Sequence, residues 1–239
     1  MPGNNPDVVA DERKRIRAEY ERREREIDLE RYASWSQAVI LEQSNRKRIA
    51  SMLLHQANVF PDAGCQCLEV GCGAMGWAAE LLSWGVPTPN LHGIDLCETR
   101  IRHIRELLPQ ATFRVGDATE LPWGTGQFQL VVASTVFTSI LDQDVRRRLA
   151  VEIVRVMAPQ GALLWYDFAF NSPGNPNVRR VDRAELRALF PQLDGEIKSI
   201  TLAPPIARVI TPLSWTIATC LQAVPLLRTH LIAVLVKPR

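Results

Sequence analysis

The chain has little cysteine and little histidine. Its 239 residues include five cysteines and four histidines, with no C-x-x-C pair and no histidine at metal-ligand spacing. An odd cysteine count without paired spacing argues against both a disulfide framework and a structural zinc site. Cys65 and Cys67 fit the entry to a β-strand better than a metal pair. The sequence therefore predicts free thiols in a reducing compartment and no resident metal.

The chain also lacks an excess of charge of either sign. Its 28 basic and 26 acidic residues give a net charge of +2, so we expect no broad surface for nucleic acid. The densest charge lies in residues 11–31, where eight acidic and eight basic side chains alternate. Phosphates would be repelled there as strongly as attracted. The pattern predicts a solvated helix, with Glu19 and Arg23 forming an i,i+4 ion pair.

Long apolar runs are scarce. The first 30 residues are polar where a signal peptide would be apolar, so we expect a cytoplasmic protein. An uncharged stretch of 19 residues lies between Arg208 and Arg228, close to the length of a membrane span but broken by Pro212 and Pro225. We expect an apolar, buried or half-buried helical segment at about 209–227. Contact with a membrane surface or a lipid-linked acceptor is the alternative.

A glycine-rich loop follows a short apolar run at Cys67-Leu-Glu-Val-Gly-Cys-Gly-Ala-Met-Gly76. The spacing G-x-G-x-x-G suits a strand that turns tightly into a ligand-binding loop. A nicotinamide dinucleotide uses the same spacing, which keeps an NAD(P)-dependent oxidoreductase open as an alternative. Glu69 disfavours a neighbouring pyrophosphate, and it favours a cationic ligand with amine donors such as S-adenosylmethionine.

Three further segments follow in order. Residues 90–95 predict a second strand, which ends in Asp95, 19 residues after Gly76, where a carboxylate suits ribose hydroxyls. Residues 112–122 predict a third strand and a turn in which Asp117 can bond an adenine amino group. Residues 128–134 predict a buried strand that ends in small residues, as expected where a ligand crosses strand ends.

With these four segments in this order, the chain resembles the class I S-adenosylmethionine-dependent methyltransferases. The resemblance covers roughly residues 60–170 and points to the small-molecule, methyltransferase type 11-like branch. It implies an α/β doubly wound Rossmann-like sheet of seven strands with the last strand antiparallel beside the fifth, and helices on both faces. It also implies a helical N-terminal extension or lid at 1–60 before a methyltransferase domain at 61–239.

The resemblance implies S-adenosyl-L-methionine as the cofactor. The cofactor contacts carried over from the family's motifs are Glu69, Gly71, Cys72, Gly73, Asp95, Leu96, Asp117, Ala118 and Ser134. Tyr32 and Trp35 are candidate lid residues, although aromatic side chains at a helix junction more often pack against the core.

The segments after the fourth strand predict the rest of the sheet. A helix capped by Asp142 is expected to end at Pro159-Gln-Gly161, with the arginines at 146–148 solvated. A fifth strand at 162–168, a helix at 183–190, a sixth strand at 196–202 and a last strand at 229–236 complete the fold.

The loop at 171–180 follows the fifth strand, and such loops border the ligand crevice of open parallel sheets. Asn171, Arg179 and Arg180 are therefore predicted to touch the acceptor; capping or solvation of the loop is the alternative for the two arginines. An alcohol acceptor would need a general base, for which Asp167 is the candidate.

The sequence thus predicts methyl transfer by in-line displacement to a small-molecule acceptor, either a sugar or glycan, including a lipid-linked one, or a natural-product intermediate. Two alternatives remain open. One is the oxidoreductase; the other is a non-catalytic protein that holds the cofactor and acts as a scaffold through its charged N-terminal helix.

Overall fold

A computed structural model of the chain describes residues 6–26, 33–73, 75–171 and 175–239. The helices are α1 (Pro6–Glu26), α2 (Gln37–Gln56), α3 (Ala78–Ser83), α4 (Glu98–Leu107), α5 (Gln143–Val156), α6 (Arg183–Leu189), α7 (Pro204–Ile210) and α8 (Trp215–Ala223). The strands are β1 (Cys67–Val70), β2 (Leu91–Asp95), β3 (Thr112–Val115), β4 (Phe128–Ser134), β5 (Met157–Phe168), β6 (Asp194–Leu202) and β7 (Arg228–Val236).

The strands form one seven-stranded sheet in the order β3-β2-β1-β4-β5-β7-β6. The first five strands pair in parallel, and β7 runs antiparallel to both β5 and β6. The predicted sheet, with its last strand inserted beside the fifth, is confirmed. On either side of β1 the chain continues in opposite directions across the sheet, which places a crevice beyond the strand ends.

The sheet is buried on both faces. One face packs Leu68, Val131 and Trp165 against α5 and α6. Their immediate neighbours in sequence, Cys67, Leu130 and Leu164, point to the opposite face and pack against α2, α3 and α4. Side chains alternate along a strand, so apolar runs such as Leu130-Val-Val-Ala133 supply both layers of the core.

The fifth strand begins five residues earlier than predicted. Met157 follows α5 directly and pairs with Phe128, and the register shifts before Ala162 pairs with Leu130. Gln160 adopts a positive φ of 60° within this stretch. Proline and glycine do end the helix, but they are also compatible with an irregular strand, and here they form one.

The N-terminal helices differ from a freely solvated extension. In α1 the predicted pair of Glu19 and Arg23 is present at 2.7 Å, yet both Glu12 and Glu19 are buried. Trp35 is 74% exposed, so the expectation that it packs against the domain was wrong. Tyr32 lies outside the described residues.

The apolar segment at 209–227 forms no single buried helix. It comprises the end of α7, all of α8 and a 3-10 turn at Pro225–Leu227. Ala207 and Ala218 pack against α2, but Leu213 is 79% and Leu226 is 93% exposed. The prediction of burial was therefore wrong for much of this segment. Among the described residues, no helix is both long enough and apolar enough to cross a membrane.

Candidate active site

A cleft of about 580 Å³ lies over the carboxyl ends of the central strands. Val70, Asp95 and Ser134, the last residues of β1, β2 and β4, line it. Ligands of open α/β sheets bind where the chain leaves the sheet in opposite directions, and the volume suits a nucleotide-sized ligand. The described part of α1 forms the opposite wall.

The glycine loop turns so tightly that its positions exclude side chains. Gly76 has a φ of +46°, and a Cβ there would lie 2.3 Å from Oε2 of Glu69. Gly71 has a φ of +68°, and a Cβ there would lie 2.6 Å from a methyl group of Val136. Gly73 faces open space on the cleft side, so its backbone is accessible to a ligand.

Four backbone donors in and just after this loop are already bonded within the protein. The N–H groups of Gly71 and Cys72 both donate to the carbonyl of Ile94, at 2.8 and 3.2 Å. The N–H of Gly73 donates to Asp95 at 2.9 Å, and the N–H of Trp77 donates to Glu69 at 2.8 Å. A pyrophosphate bound at a helix N-terminus needs such donors free, so the loop disfavours a dinucleotide.

Glu69 lies behind the loop rather than in the cleft wall. Its side chain is 4% exposed. Burial raises the pKa of this carboxyl to about 8, against the lowering effects of the Trp77 N–H and of the nearby Arg46. Glu69 thus fastens the start of α3 to β1. A cationic group arriving near the loop would favour its ionised form.

The Cys72 side chain also points away from the cleft. It is buried among the residues on the α2 side of the sheet, close to Gly93. Burial raises the pKa of its thiol far above the ordinary value. Cys72 was predicted to contact the cofactor, but only its backbone, and not its side chain, forms part of the glycine loop that borders the cleft.

Asp95 stands at the end of β2 with both carboxylate oxygens in use. Oδ2 accepts the Gly73 N–H at 2.9 Å, and Oδ1 accepts the Cys97 N–H at 2.8 Å. Each oxygen has a second lone pair, so the carboxylate can still accept two hydroxyl groups. Asp95 and Leu96 both line the cleft.

Asp117 and Ala118 line the cleft on the β3 side. Oδ1 of Asp117 accepts the backbone N–H and the hydroxyl of Thr119, at 2.9 and 2.8 Å. Oδ2 lies 3.9 Å from the guanidinium of Arg13 in α1. This oxygen is therefore oriented toward the cleft with room for a further donor.

Ser134 lines the cleft at the end of β4, and the next residue is strained. Thr135 has a φ of +57°, and its N–H donates to the carbonyl of Tyr166 at 2.7 Å. A β-branched residue in this region is uncommon and tends to occur at functional sites. Thr135 and Val136 both border the cleft.

Helix α1 is fastened over the cleft by polar contacts. The Glu12 carboxylate accepts the N–H of Leu141, in a short contact, and the N–H of Asp142 at 3.4 Å. Burial raises the pKa of this carboxyl, but Arg15 and these N–H groups outweigh that effect and lower it. The Tyr20 hydroxyl lies 3.1 Å from the Ser139 hydroxyl. Through these contacts α1 covers the cleft, and we refer to this helix as the roof of the cleft.

Asp167 does not reach the cleft. Its side chain is 0% exposed and accepts the Thr138 hydroxyl at 2.5 Å, the Thr138 N–H at 3.1 Å and its neighbour Phe168 N–H at 3.0 Å. Burial raises the pKa of Asp167 to about 6, while Thr138 and Arg146 act in the opposite sense. The prediction of a general base is therefore corrected: Asp167 holds the segment after β4 in place.

The loop at 171–180, which was predicted to touch the acceptor, is held by hydrogen bonds in the same region. Arg146, expected to be solvated, is fully buried and donates to the carbonyls of Arg179 and Arg180 at 2.7 and 3.3 Å. Asn171 accepts the Arg180 N–H at 2.8 Å. Arg179 donates to the Leu141 carbonyl at 3.1 Å. None of the side chains of Asn171, Arg179 and Arg180 lines the cleft, and their assignment to the acceptor stays a prediction.

Sequence reasoning expected a lid within residues 1–60 but missed which residues of α1 reach the cleft. Arg13, Arg17, Tyr20 and Glu21 line the cleft, and they belong to the segment predicted to be a solvated helix. Acidic and basic residues are evenly mixed along α1, so its sequence does not indicate which part of the fold the helix covers. Thr135 was also missed, because a positive φ at a threonine has no sequence signature.

Comparisons with known proteins agree with this geometry. Residues 67–161 match the family model of the methyltransferase domain. A protein of Mycolicibacterium smegmatis named as a probable S-adenosylmethionine-dependent methyltransferase is 28% identical over 144 residues, which are 57% of this chain and 54% of that protein. Norajmaline N-methyltransferase of Rauvolfia serpentina is 24% identical over 163 residues, 63% of this chain and 54% of that enzyme.

The chain spans about half the length of these curated relatives. Among solved structures, 1,6-didemethyltoxoflavin-N1-methyltransferase of Burkholderia thailandensis, crystallised with 1,6-didemethyltoxoflavin and S-adenosylhomocysteine, superposes with a TM-score of 0.64. It covers 100% of this chain and 93% of that chain at 16% identity, a likeness of fold.

Proposed function

Because residues 67–161 match the family model of the methyltransferase domain, we propose that the chain is a class I S-adenosylmethionine-dependent methyltransferase that transfers a methyl group from S-adenosylmethionine to a small-molecule acceptor. The glycine loop carries this proposal. Four of its N–H donors are occupied by Ile94, Asp95 and Glu69, and the Asp95 carboxylate lines the cleft beside them. That is the chemistry of a cationic nucleoside site rather than of a pyrophosphate site.

The cleft residues fit the parts of S-adenosylmethionine. Asp95 has lone pairs left for two ribose hydroxyls, and Asp117 has an oxygen directed at the cleft for the adenine amino group. The open backbone at Gly73 admits the methionine portion. Ser134 lies at the end of β4, on the side we assign to the sulfonium.

When bound, S-adenosylmethionine supplies a methyl group already activated on its sulfonium. The task of the protein is then alignment of the acceptor for in-line displacement, together with exclusion of water. Thr135, Val136 and Ser139 form the floor on the acceptor side, and Tyr20 in α1 closes over Ser139. We infer that α1 is a lid whose position completes the acceptor site.

The lining of α1 bears on the acceptor. Arg17, Tyr20 and Glu21 present charged and hydroxyl groups to a cleft whose floor is apolar around Val136. Such a mixture suits a hydroxylated molecule, and we propose a sugar, a glycan or a natural-product intermediate in a biosynthetic reaction. A lipid-linked glycan is included, since the exposed apolar side chains at Leu213 and Leu226 suit peripheral contact with a membrane.

We place the enzyme in the cytoplasm. Its five cysteines are free thiols, and Cys65, Cys97 and Cys220 are at least partly exposed. Exposed thiols persist in a reducing compartment and are oxidised outside it.

The experiment that tests the function measures the melting temperature with S-adenosylmethionine, S-adenosylhomocysteine, NADH and NADPH. A ligand that binds the native state raises the melting temperature with concentration. We expect stabilisation by the first two only, weakened in Asp95→Asn, which keeps the size of the side chain that holds Gly73. Stabilisation by a nicotinamide cofactor alone would overturn the proposal.

A second measurement separates an enzyme from a scaffold. The protein is incubated with S-adenosylmethionine and a panel of sugars, lipid-linked glycans and hydroxylated aromatic compounds, and S-adenosylhomocysteine is quantified. We expect its release with at least one acceptor class. Cofactor binding without release for any class would favour the non-catalytic alternative.

A further inference from the structure

A second cavity, of about 570 Å³, lies at the edge strand β6 and shares no lining residue with the cleft over the central strands. Four basic side chains line it, and among the described residues no carboxylate does. The four are Arg48, Arg183, Lys198 and Arg228. Unlike the charged residues of α1, these side chains come from four separate elements, so folding gathers them.

The arginines of this basic cavity are held by neutral groups. Arg228 donates to the carbonyls of Gln222, Ser199 and Ala223 at 2.9, 3.2 and 2.7 Å. Arg183 donates to the Ile197 carbonyl at 2.6 Å. Carbonyl oxygens orient a guanidinium without neutralising it, so the positive charge persists in a preorganised site.

Of the remaining two cations, only Lys198 has a charged partner among the described residues. Arg48 donates to the amide oxygen of Asn45 at 3.1 Å, again a neutral partner. Lys198 pairs with Glu196 at 3.1 Å, and both side chains are partly exposed. Even if this pair is counted as neutral, three arginines remain around the cavity. Their fork geometry suits a phosphate oxygen pair.

The rim of the basic cavity is apolar and exposed. Ala223 and Pro225 line the cavity, and their neighbours Val224 and Leu226 project into solvent. Trp215 and Ile217, at the start of α8, and Leu213 just before it are exposed as well. A soluble anion would make no favourable contact with this apolar rim. A phosphate attached to a hydrocarbon chain would contact both the basic cavity and the rim.

We propose that the basic cavity binds the phosphate headgroup of an anionic membrane lipid, while the apolar rim at 213–226 inserts at the boundary between headgroups and hydrocarbon. A long single strand or duplex of nucleic acid would need an extended basic track without exposed leucine and valine at its edge. The membrane is therefore the partner whose chemistry matches. This proposal extends the membrane contact named above and does not depend on methyl transfer.

The test is co-sedimentation of the full chain with vesicles of phosphatidylcholine alone or with about one-third phosphatidylglycerol. We expect binding to the anionic vesicles only, weakened by salt. Arg48→Gln with Arg183→Gln should reduce the affinity about fivefold for each arginine, hence about twenty-five-fold together. Leu226→Ser should reduce it about tenfold by removing apolar area from the interface.

The matched control is Arg102→Gln with Arg147→Gln, two exposed arginines that pair with Glu98 and Asp144. It has the same net charge as the cavity variant and should bind vesicles like the unmodified chain. Equal loss in both double variants would mean diffuse charge attraction and would overturn the site. So would an absence of binding to anionic vesicles.

Two further readouts complete the experiment. Inorganic phosphate and glycerol 3-phosphate are tested by melting temperature; stabilisation by them without vesicle binding would assign the cavity to a soluble phosphate and overturn the membrane partner. S-adenosylhomocysteine binding is measured on every variant and should be unchanged. Failure of vesicle binding with cofactor binding intact is thereby distinguished from failure of the methyltransferase proposal.

Discussion

At the scale of the residue, carboxyl groups of the same type acquire different roles from their surroundings. Glu69 and Asp167 are buried and have raised pKa values, of about 8 and about 6, whereas the pKa of Glu12 is lowered by Arg15 and two N–H groups. Asp95 and Asp117 remain in the cleft wall. The position of a carboxylate after a strand predicts its neighbourhood but not its exposure.

Glu69 should make stability depend on pH. Its folded-state pKa of about 8 lies above the ordinary 4.5, so the folded state binds the proton more tightly than the unfolded state. Stability therefore falls as pH rises from about 4.5 to about 8 and levels off above, by roughly 3 kcal/mol at pH 7. Glu69→Gln removes this cost and keeps an oxygen for the Trp77 N–H.

The measurement is urea unfolding of the unliganded protein at several pH values between 5 and 9. We expect the stability of Glu69→Gln relative to the unmodified chain to increase across this range. Glu106→Gln, which neutralises an exposed carboxylate in α4, is the control. Parallel pH dependence of all three proteins would show that Glu69 is not buried as a neutral acid.

At the scale of the element, α1 is the least predictable part of the site. Its ion pairs within the helix were anticipated, yet Glu12 and Arg13 reach residues more than a hundred positions away, at Leu141 and Asp117. Such contacts depend on where the helix docks. The sequence of α1 does not predict this position, because its mixed charges weaken the amphipathic pattern that would mark the buried face.

The roof should respond to loss of the Glu12 contacts. Glu12→Gln keeps an acceptor oxygen but loses the charge that strengthens its bonds to the Leu141 and Asp142 N–H groups. Loss of about 1 kcal/mol of α1 docking should weaken S-adenosylhomocysteine binding by up to about fivefold. Calorimetry measures it, with Asp11→Asn, an exposed carboxylate on the same helix, as the control. Equal affinities would mean that α1 does not close the cleft.

At the scale of the whole molecule, the two N-terminal helices belong to different layers. Ala50, Leu53 and Leu54 of α2 are buried in the core on one face of the sheet. The apolar residues that helix α1 adds to the other face, Val8 and Ile16 among them, are only partly buried. The predicted boundary at residue 60 therefore falls between α2 and β1, whose apolar side chains pack in the same core layer.

Two truncations test this division. Removal of residues 1–32 should leave a cooperatively folding protein with weakened S-adenosylhomocysteine binding, because α1 supplies the roof. Removal of residues 1–60 should abolish folding, since buried leucines cost about 2–5 kcal/mol each and domains are stable by about 5–15 kcal/mol. Circular dichroism on heating distinguishes the two. A folded protein lacking 1–60 would restore the predicted boundary.

The sequence by itself determined the sheet and the positions of the cleft carboxylates. The glycine spacing, Asp95 and Asp117 are local signals, because strand ends and tight turns impose residue types on the chain within a few positions. The two layers of the core followed from apolar runs for the same reason.

Only the tertiary structure decided which of these groups are accessible. Thr138 and Arg146 bury Asp167 and hold the loop near Arg179, α1 covers the cleft, and Leu226 stays in solvent. Each outcome depends on contacts between elements distant in the chain. The free energy of such packing is set by the complete fold rather than by any segment of it.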